Sequence, residues 1–142
     1  ESRSIELVPV GSRVGAVELP LLGSVAAGVP IEAIEEQESI AVPEDLLTRS
    51  GQHYVLRVKG DSMIDEQIRD GDYVVVNARQ NAENGAMVVA LVHGDSATVK
   101  RFYREPGGRV RLQPANPDMP PLYFDAEEVQ IQGIVVGVIR RY

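Results

Sequence analysis

Cysteine is absent from this chain of 142 residues, and histidine is nearly so, with His53 and His93 as its 2 copies. Without cysteine there is no disulfide framework and no thiolate to act as nucleophile or ligand, and two distant histidines do not make a zinc cluster. A protein that works without metal or other cofactor is expected. Long apolar runs are missing too. The longest, Ile134-Val135-Val136-Gly137-Val138-Ile139, falls far short of the roughly 20 residues that cross a bilayer. Nor does the N-terminus carry a basic and apolar export signal, so a soluble, cytoplasmic protein with no membrane partner is expected. Basic clusters are also lacking. With 14 Lys and Arg against 21 Asp and Glu, the net charge is −7, which argues against this segment gripping a phosphate backbone. DNA binding, if it occurs, belongs to another part of the protein. The first residue is Glu1 rather than Met, which suggests a piece of a longer chain. Its length suits one domain that buries about two thirds of its unfolded surface.

Helical periodicity is scarce. Short β-type runs recur instead between turn signals, at residues 31–34, 53–58, 73–77, 86–92, 97–104, 109–112 and 129–140. That spacing predicts a mainly β, mostly antiparallel domain. Two hairpins are legible, through His93-Gly94-Asp95 and through Glu105-Pro106-Gly107-Gly108, and the second sets Lys100 and Arg111 on adjacent strands. Only residues 43–47 and 62–68 offer helix, a turn or two each. Residues 1–22 mix polar positions with Pro9, Gly11, Gly15 and Pro20 and show no sustained period. They read as a linker, leaving 23–142 as the folded domain.

Chemistry concentrates in two places. Ser62 stands in Lys59-Gly60-Asp61-Ser62-Met63-Ile64-Asp65, directly after the strand-like 54–58, so a glycine-led turn presents its hydroxyl at a strand end. Lys100 follows 38 residues on, in the β-branched and aromatic run Ala97-Thr98-Val99-Lys100-Arg101-Phe102-Tyr103. A serine hydroxyl is a weak nucleophile until a base takes its proton, and lysine serves as that base only when burial destabilises its ammonium. Lysine is a known variant of the base in serine triads. The apolar flanks Val99 and Phe102 suit such burial. Upstream, Ala26-Ala27-Gly28 has no bulk to obstruct attack, and glycine lets the backbone kink past a nucleophile. Substrate and catalyst on one chain make an effectively unimolecular reaction, so a conformational gate is required, and the stretch 25–38 is the candidate moving part.

Taken together, these residues resemble the self-cleaving repressor family, closest to the C-terminal domain of LexA and related to UmuD and the phage repressors. The resemblance runs through Ala26-Ala27-Gly28, Gly60-Asp61-Ser62-Met63, Asp70-Gly71-Asp72, Thr98-Val99-Lys100-Arg101, Leu112-Gln113-Pro114-Ala115-Asn116 and the ending Gly133-Ile134-Val135-Val136-Gly137-Val138-Ile139-Arg140. It implies an antiparallel β domain like that of the signal peptidases. Ala27-Gly28 would be the scissile bond, Ser62 the nucleophile, Lys100 the general base, and the backbone N–H groups of Asp61, Ser62 and Met63 the oxyanion hole. It further implies the dimerising, self-inactivating half of an SOS-response transcriptional repressor, in which a RecA–single-stranded-DNA filament promotes cleavage. DNA would be bound only through an N-terminal helix-turn-helix domain outside these residues. The homodimer would use residues 134–139 as a pairing edge. The alternative is a UmuD-like accessory subunit of a translesion polymerase, but UmuD is cut after Cys, and here Ala27 precedes Gly28. A protease acting in trans, as signal peptidases do, would need a membrane anchor. A catalytically silent binding module would never yield two fragments.

Each feature also has a plainer reading. Ser62 with Asp65 three residues later fits a helix capping box, and a serine so placed is far more often a cap than a nucleophile. A lysine in a strand is usually a solvated edge residue, and Ala-Ala-Gly is ordinary linker composition. His53 and His93 read as surface or turn residues, and Glu35-Glu36-Gln37-Glu38 as a solvated face.

Overall fold

Valine-rich segments too short for helices, separated by glycine turns, leave the chain little choice but to pair as strands. The structure is a computed structural model that describes residues 15–24, 38–48, 51–94 and 96–140. Nine strands follow in order: β1 Ala16–Ser24, β2 Glu38–Pro43, β3 His53–Arg57, β4 Tyr73–Asn77, β5 Met87–Val92, β6 Ser96–Glu105, β7 Arg109–Gln113, β8 Leu122–Asp125 and β9 Val129–Ile139. They form one sheet in the order β2-β1-β3-β4-β9-β5-β6-β7-β8. All neighbours are antiparallel except β1 and β3. Mainly β architecture with very little helix, as expected, is what forms.

Strand β9 joins the two halves of the sheet. Its first part pairs with β5 from Val129 to Ile134, and its second with β4 from Ile134 to Ile139. The register slips once in each ladder, between Val89 and Ala90 and between Val75 and Val76, and such bulges bend a strand and increase its twist. Gly133 lies at this bend, where a Cβ would stand 2.7 Å from the Asn77 carbonyl oxygen. Both hairpins form where expected. His93 and Gly94 at the β5–β6 turn have φ of 57° and 69°, and Gly107 and Gly108 at the β6–β7 turn have 82° and 72°. That is the left-handed region which hairpin turns require.

Three buried clusters fill the two halves, and one of them positions the site. Tyr54, Leu56 and Val58 on and after β3 pack with Val74, Val76, Val89 and Val99, and with Met63 and Ile68 from the segment between β3 and β4. Met63 and Ile68 are each 1% exposed. Full burial of such side chains contributes roughly 1.5–3 kcal/mol apiece, which pins both ends of the segment that begins with Ser62.

Residues 16–22 belong to β1 rather than to the linker expected over 1–22. The alternation Val17, Leu19, Leu21, with Leu19 and Leu21 buried, is a strand pattern hidden by Pro20, and the parallel ladder to β3 begins only after that proline, at Leu21. Strand β2 went unread because only Ile40 and Val42 mark its buried side, and β8 because four largely exposed residues after a proline-rich stretch carry no period. Both lie at the sheet's edges. The two helix candidates shrink to single 3₁₀ turns, Glu44–Leu46 and Ile64–Glu66. The β-type run at 31–34 and the segment Ala26-Ala27-Gly28 lie outside the described residues.

Candidate active site

Ser62 sits in a tight loop that leaves β3 at Val58 and returns to β4 at Asp72. The loop closes on itself because Val58 donates its N–H to the Asp72 carbonyl and Gly71 donates to the Val58 carbonyl, both at 2.8 Å. Gly60 and Gly71, with φ of 86° and 91°, make the left-handed corners that most residues resist. The Asp70 carboxylate accepts the Gly60 N–H at 2.7 Å, tying down the backbone two residues before Ser62.

Ser62 does not cap the 3₁₀ turn. The residue before that turn is Met63, and no side chain caps it. The half-buried Ser62 Oγ instead accepts a hydrogen bond from Lys100 Nζ at 3.1 Å. Lys100 is not a solvated edge residue either. It lies in the interior strand β6, between β5 and β7, and is 8% exposed. Burial pushes its pKa below the usual lysine value, since a charged ammonium loses solvation there. Thr98, two residues earlier on the same face of β6, accepts a second hydrogen bond from Lys100 Nζ through Oγ1. Thr98 received no role from the sequence, although the i−2 spacing in a strand was a sufficient signal.

The peptide planes around Ser62 are fixed by their carbonyls. Asp61 O accepts from Ile64 N–H at 3.2 Å and from Asn116 Nδ2 at 2.9 Å, and Ser62 O accepts from Ala115 N–H at 2.7 Å. Because each peptide is planar, anchoring these oxygens aims the N–H groups of Ser62 and Met63 the opposite way. Among the described residues, nothing accepts from the N–H of Asp61, Ser62 or Met63. The 114–116 segment after β7 thus acts as a brace, with Asp65 N–H returning a bond to the Ala115 carbonyl at 2.7 Å. In sequence Leu112-Gln113-Pro114-Ala115-Asn116 carries only a resemblance; in the fold its last two residues brace the Ser62 loop.

Two ion pairs hold the loop from outside. Arg101 donates from Nε and Nη2 to both Glu66 oxygens, each at 2.9 Å, and this holds the Glu66 carboxyl below its ordinary pKa. Arg140, after β9, donates from Nε and Nη2 to Asp72, each at 2.9 Å, and from Nη2 to the Gln67 carbonyl at 3.0 Å. Arg140 likewise lowers the pKa of the buried Asp72. The two histidines lie apart from this cluster. His53 bonds the N–H and hydroxyl of Thr48, and the exposed His93 pairs with Glu128.

A serine hydroxyl in contact with a desolvated lysine, on a mainly antiparallel β scaffold beside N–H donors with no acceptor among the described residues, is an arrangement able to support serine hydrolase chemistry. Residues 20–136 match the family model described as Peptidase S24-like, and the chain belongs to that family. It is 51% identical over 142 residues, its whole length, to the LexA repressor of Syntrophobacter fumaroxidans, of which it covers 66%. To the LexA repressor of Ruegeria sp. it is 51% identical over 138 residues, 96% of this chain and 56% of that protein. For the LexA repressor of Zymomonas mobilis the figures are 51% over 126 residues, 89% and 57%. The chain therefore spans less than two thirds of the length of these relatives. Among the described residues no helix is long and apolar enough to cross a membrane.

Proposed function

We propose that this chain is the self-cleaving domain of a LexA-type repressor and cuts its own Ala27-Gly28 bond with Ser62 as nucleophile and Lys100 as general base. The observation that carries the reading is the 3.1 Å contact between Lys100 Nζ and Ser62 Oγ, made by a buried lysine with a lowered pKa. In the first step neutral Lys100 takes the Ser62 proton as Oγ bonds to the Ala27 carbonyl carbon. The resulting oxyanion meets the N–H groups of Ser62 and Met63, with Asp61 the third candidate donor. Lys100 then returns the proton to the Gly28 nitrogen, the C–N bond breaks, and water hydrolyses the Ala27 ester on Ser62. Thr98 orients the amine so that its lone pair faces the serine.

The relatives' names and the Ala27 residue favour the repressor over a UmuD-like polymerase subunit. On this reading the protein is cytoplasmic and binds DNA through a separate domain. The RecA–single-stranded-DNA filament acts by stabilising the cleavable conformer, since a partner shifts an equilibrium only by its preference for one state. The homodimer pairs through the second part of β9. Its residues 135–139 are bonded to β4 on one side, while their other side has no strand partner among the described residues, and Val138 is 42% exposed.

Incubation of the chain is expected to give a single nick, leaving residues 1–27 and 28–142 by intact mass spectrometry. The half-time should not depend on protein concentration. Ser62→Ala and Lys100→Ala should each abolish the nick without unfolding the domain. Cleavage at another bond, or a cleaving Ser62→Ala variant, would end this reading.

A further inference from the structure

We infer that the Arg101–Glu66 pair is a positioning device for the self-cleavage reaction, setting the distance between the Ser62 turn and the Lys100 strand. The inference rests on the reading given under Proposed function and adds two residues to it. The reacting groups come from different elements, a loop between β3 and β4 and the interior strand β6. Their separation depends on whatever joins those elements. The Ala115 and Asn116 contacts tie the loop to the segment after β7, and Arg140 ties it to the end of β9. Among the described residues, the polar contacts that join the loop to β6 are the Lys100–Ser62 bond itself and the Arg101–Glu66 pair.

The geometry suits a brace. Arg101 follows Lys100 directly, so the two side chains leave β6 on opposite faces, and Glu66 closes the 3₁₀ turn that follows Ser62. The segment from Ser62 to Glu66 is thereby held at both ends by consecutive residues of one strand. Both Glu66 oxygens are engaged, and the remaining arm of the guanidinium, Nη1, donates to the Gly85 carbonyl at 2.7 Å. A planar fork bound on three sides has one orientation, which a lysine at that place could not reproduce. Each side chain is about a third exposed, 32% for Arg101 and 31% for Glu66. Such a pair contributes modestly to global stability, so its strict bidentate geometry points to placement rather than to holding the fold.

The test measures first-order nicking of the full chain from pH 7 to pH 11, well below the melting temperature of every variant, for wild type, Glu66→Gln, Arg101→Lys and the double variant. Misplacing reacting groups by about 1 Å costs on the order of 100-fold in rate. Each single substitution should lower the alkaline plateau rate about 10- to 100-fold while leaving the pH midpoint in place. The double variant should be no slower than the slower single one, because both remove the same contact. A merely structural role would leave the plateau unchanged wherever the domain stays folded. Plateau rates at the wild-type level, or a double variant whose loss is the product of the two, would overturn the inference while wild type still cleaves and Ser62→Ala does not. If wild type fails to cleave, the proposed function itself falls.

Discussion

At the scale of single residues, Lys100 has opposed demands placed on it. Its pKa is lowered in the folded chain by burial, so the unfolded chain binds the proton more tightly, and stability from this group rises with pH between the depressed value and the unfolded value of about 10.4. Below that window the buried charge is a cost in full. Lys100→Met should therefore stop cleavage yet raise the melting temperature at pH 7, by ~3 °C for about 1 kcal/mol recovered. Calorimetry at pH 7 and at pH 11 checks this, because the gain should shrink at the higher pH. The same protonation governs the rate. If Lys100 is the base, the logarithm of the nicking rate rises by about one per pH unit until its pKa is passed. Lys100→Arg, whose guanidinium does not deprotonate in that range, should be inactive throughout. Thr98→Val removes the acceptor that orients Nζ and should slow nicking about 10-fold without moving the melting temperature by more than a degree or two.

At the scale of elements, the loop from 58 to 72 is positioned by groups far from it in sequence. Asp72 is 3% exposed and depends on the Arg140 fork. Removing the partly exposed Arg140 leaves the Asp72 carboxylate with only the Arg69 N–H, at a cost of about 1–3 kcal/mol. Arg140→Ala should accordingly destabilise the domain strongly in urea melts, whereas Arg140→Ala with Asp72→Asn should recover part of that loss. Acid acts on the same bonds. Asp72 and Glu66 have folded pKa values below their unfolded ones, so their contribution is whole above about pH 4–5 and is lost as pH falls through the folded values. A melting temperature that declines as pH falls below that range is the expected result, and Asp72→Asn should blunt that acid sensitivity. In β9, Gly133→Ala would push a Cβ to 2.7 Å from the Asn77 carbonyl and 3.2 Å from Tyr54 Oη, which should cost roughly 1–3 kcal/mol by loosening the junction of the two half-sheets.

At the scale of the whole molecule, one strand serves both halves and, on the proposed reading, the dimer as well. The second part of β9 carries Val138 at the surface and is followed directly by Arg140, which grips the Ser62 loop. Pairing between two copies along residues 135–139 would add backbone hydrogen bonds to a strand side that has no strand partner among the described residues, which apolar edges invite. Val138→Lys places a charge on that face and should shift sedimentation from dimer to monomer at micromolar concentration, with the unimolecular nicking rate preserved. A variant that stays dimeric would move the interface elsewhere.

What the sequence determined is local. Alternating valines and glycine turns are enough to require strands 53–57, 73–77, 87–92, 109–113 and 129–139, because period-two burial is written residue by residue. The motif around Ser62 and the strand around Lys100 were legible for the same reason, each being a few consecutive residues. Tertiary structure decided what depends on distant partners. It moved residues 16–22 from linker to β1, since Leu19 and Leu21 become buried only once β2 and β3 flank them. It resolved the plainer readings as well. A serine becomes a cap or a bonded neighbour of lysine according to what stands across from it, and here Lys100 does. The braces from Ala115, Arg101 and Arg140 were not legible, because a side chain's type says what bonds it forms but only the fold determines which groups lie within reach.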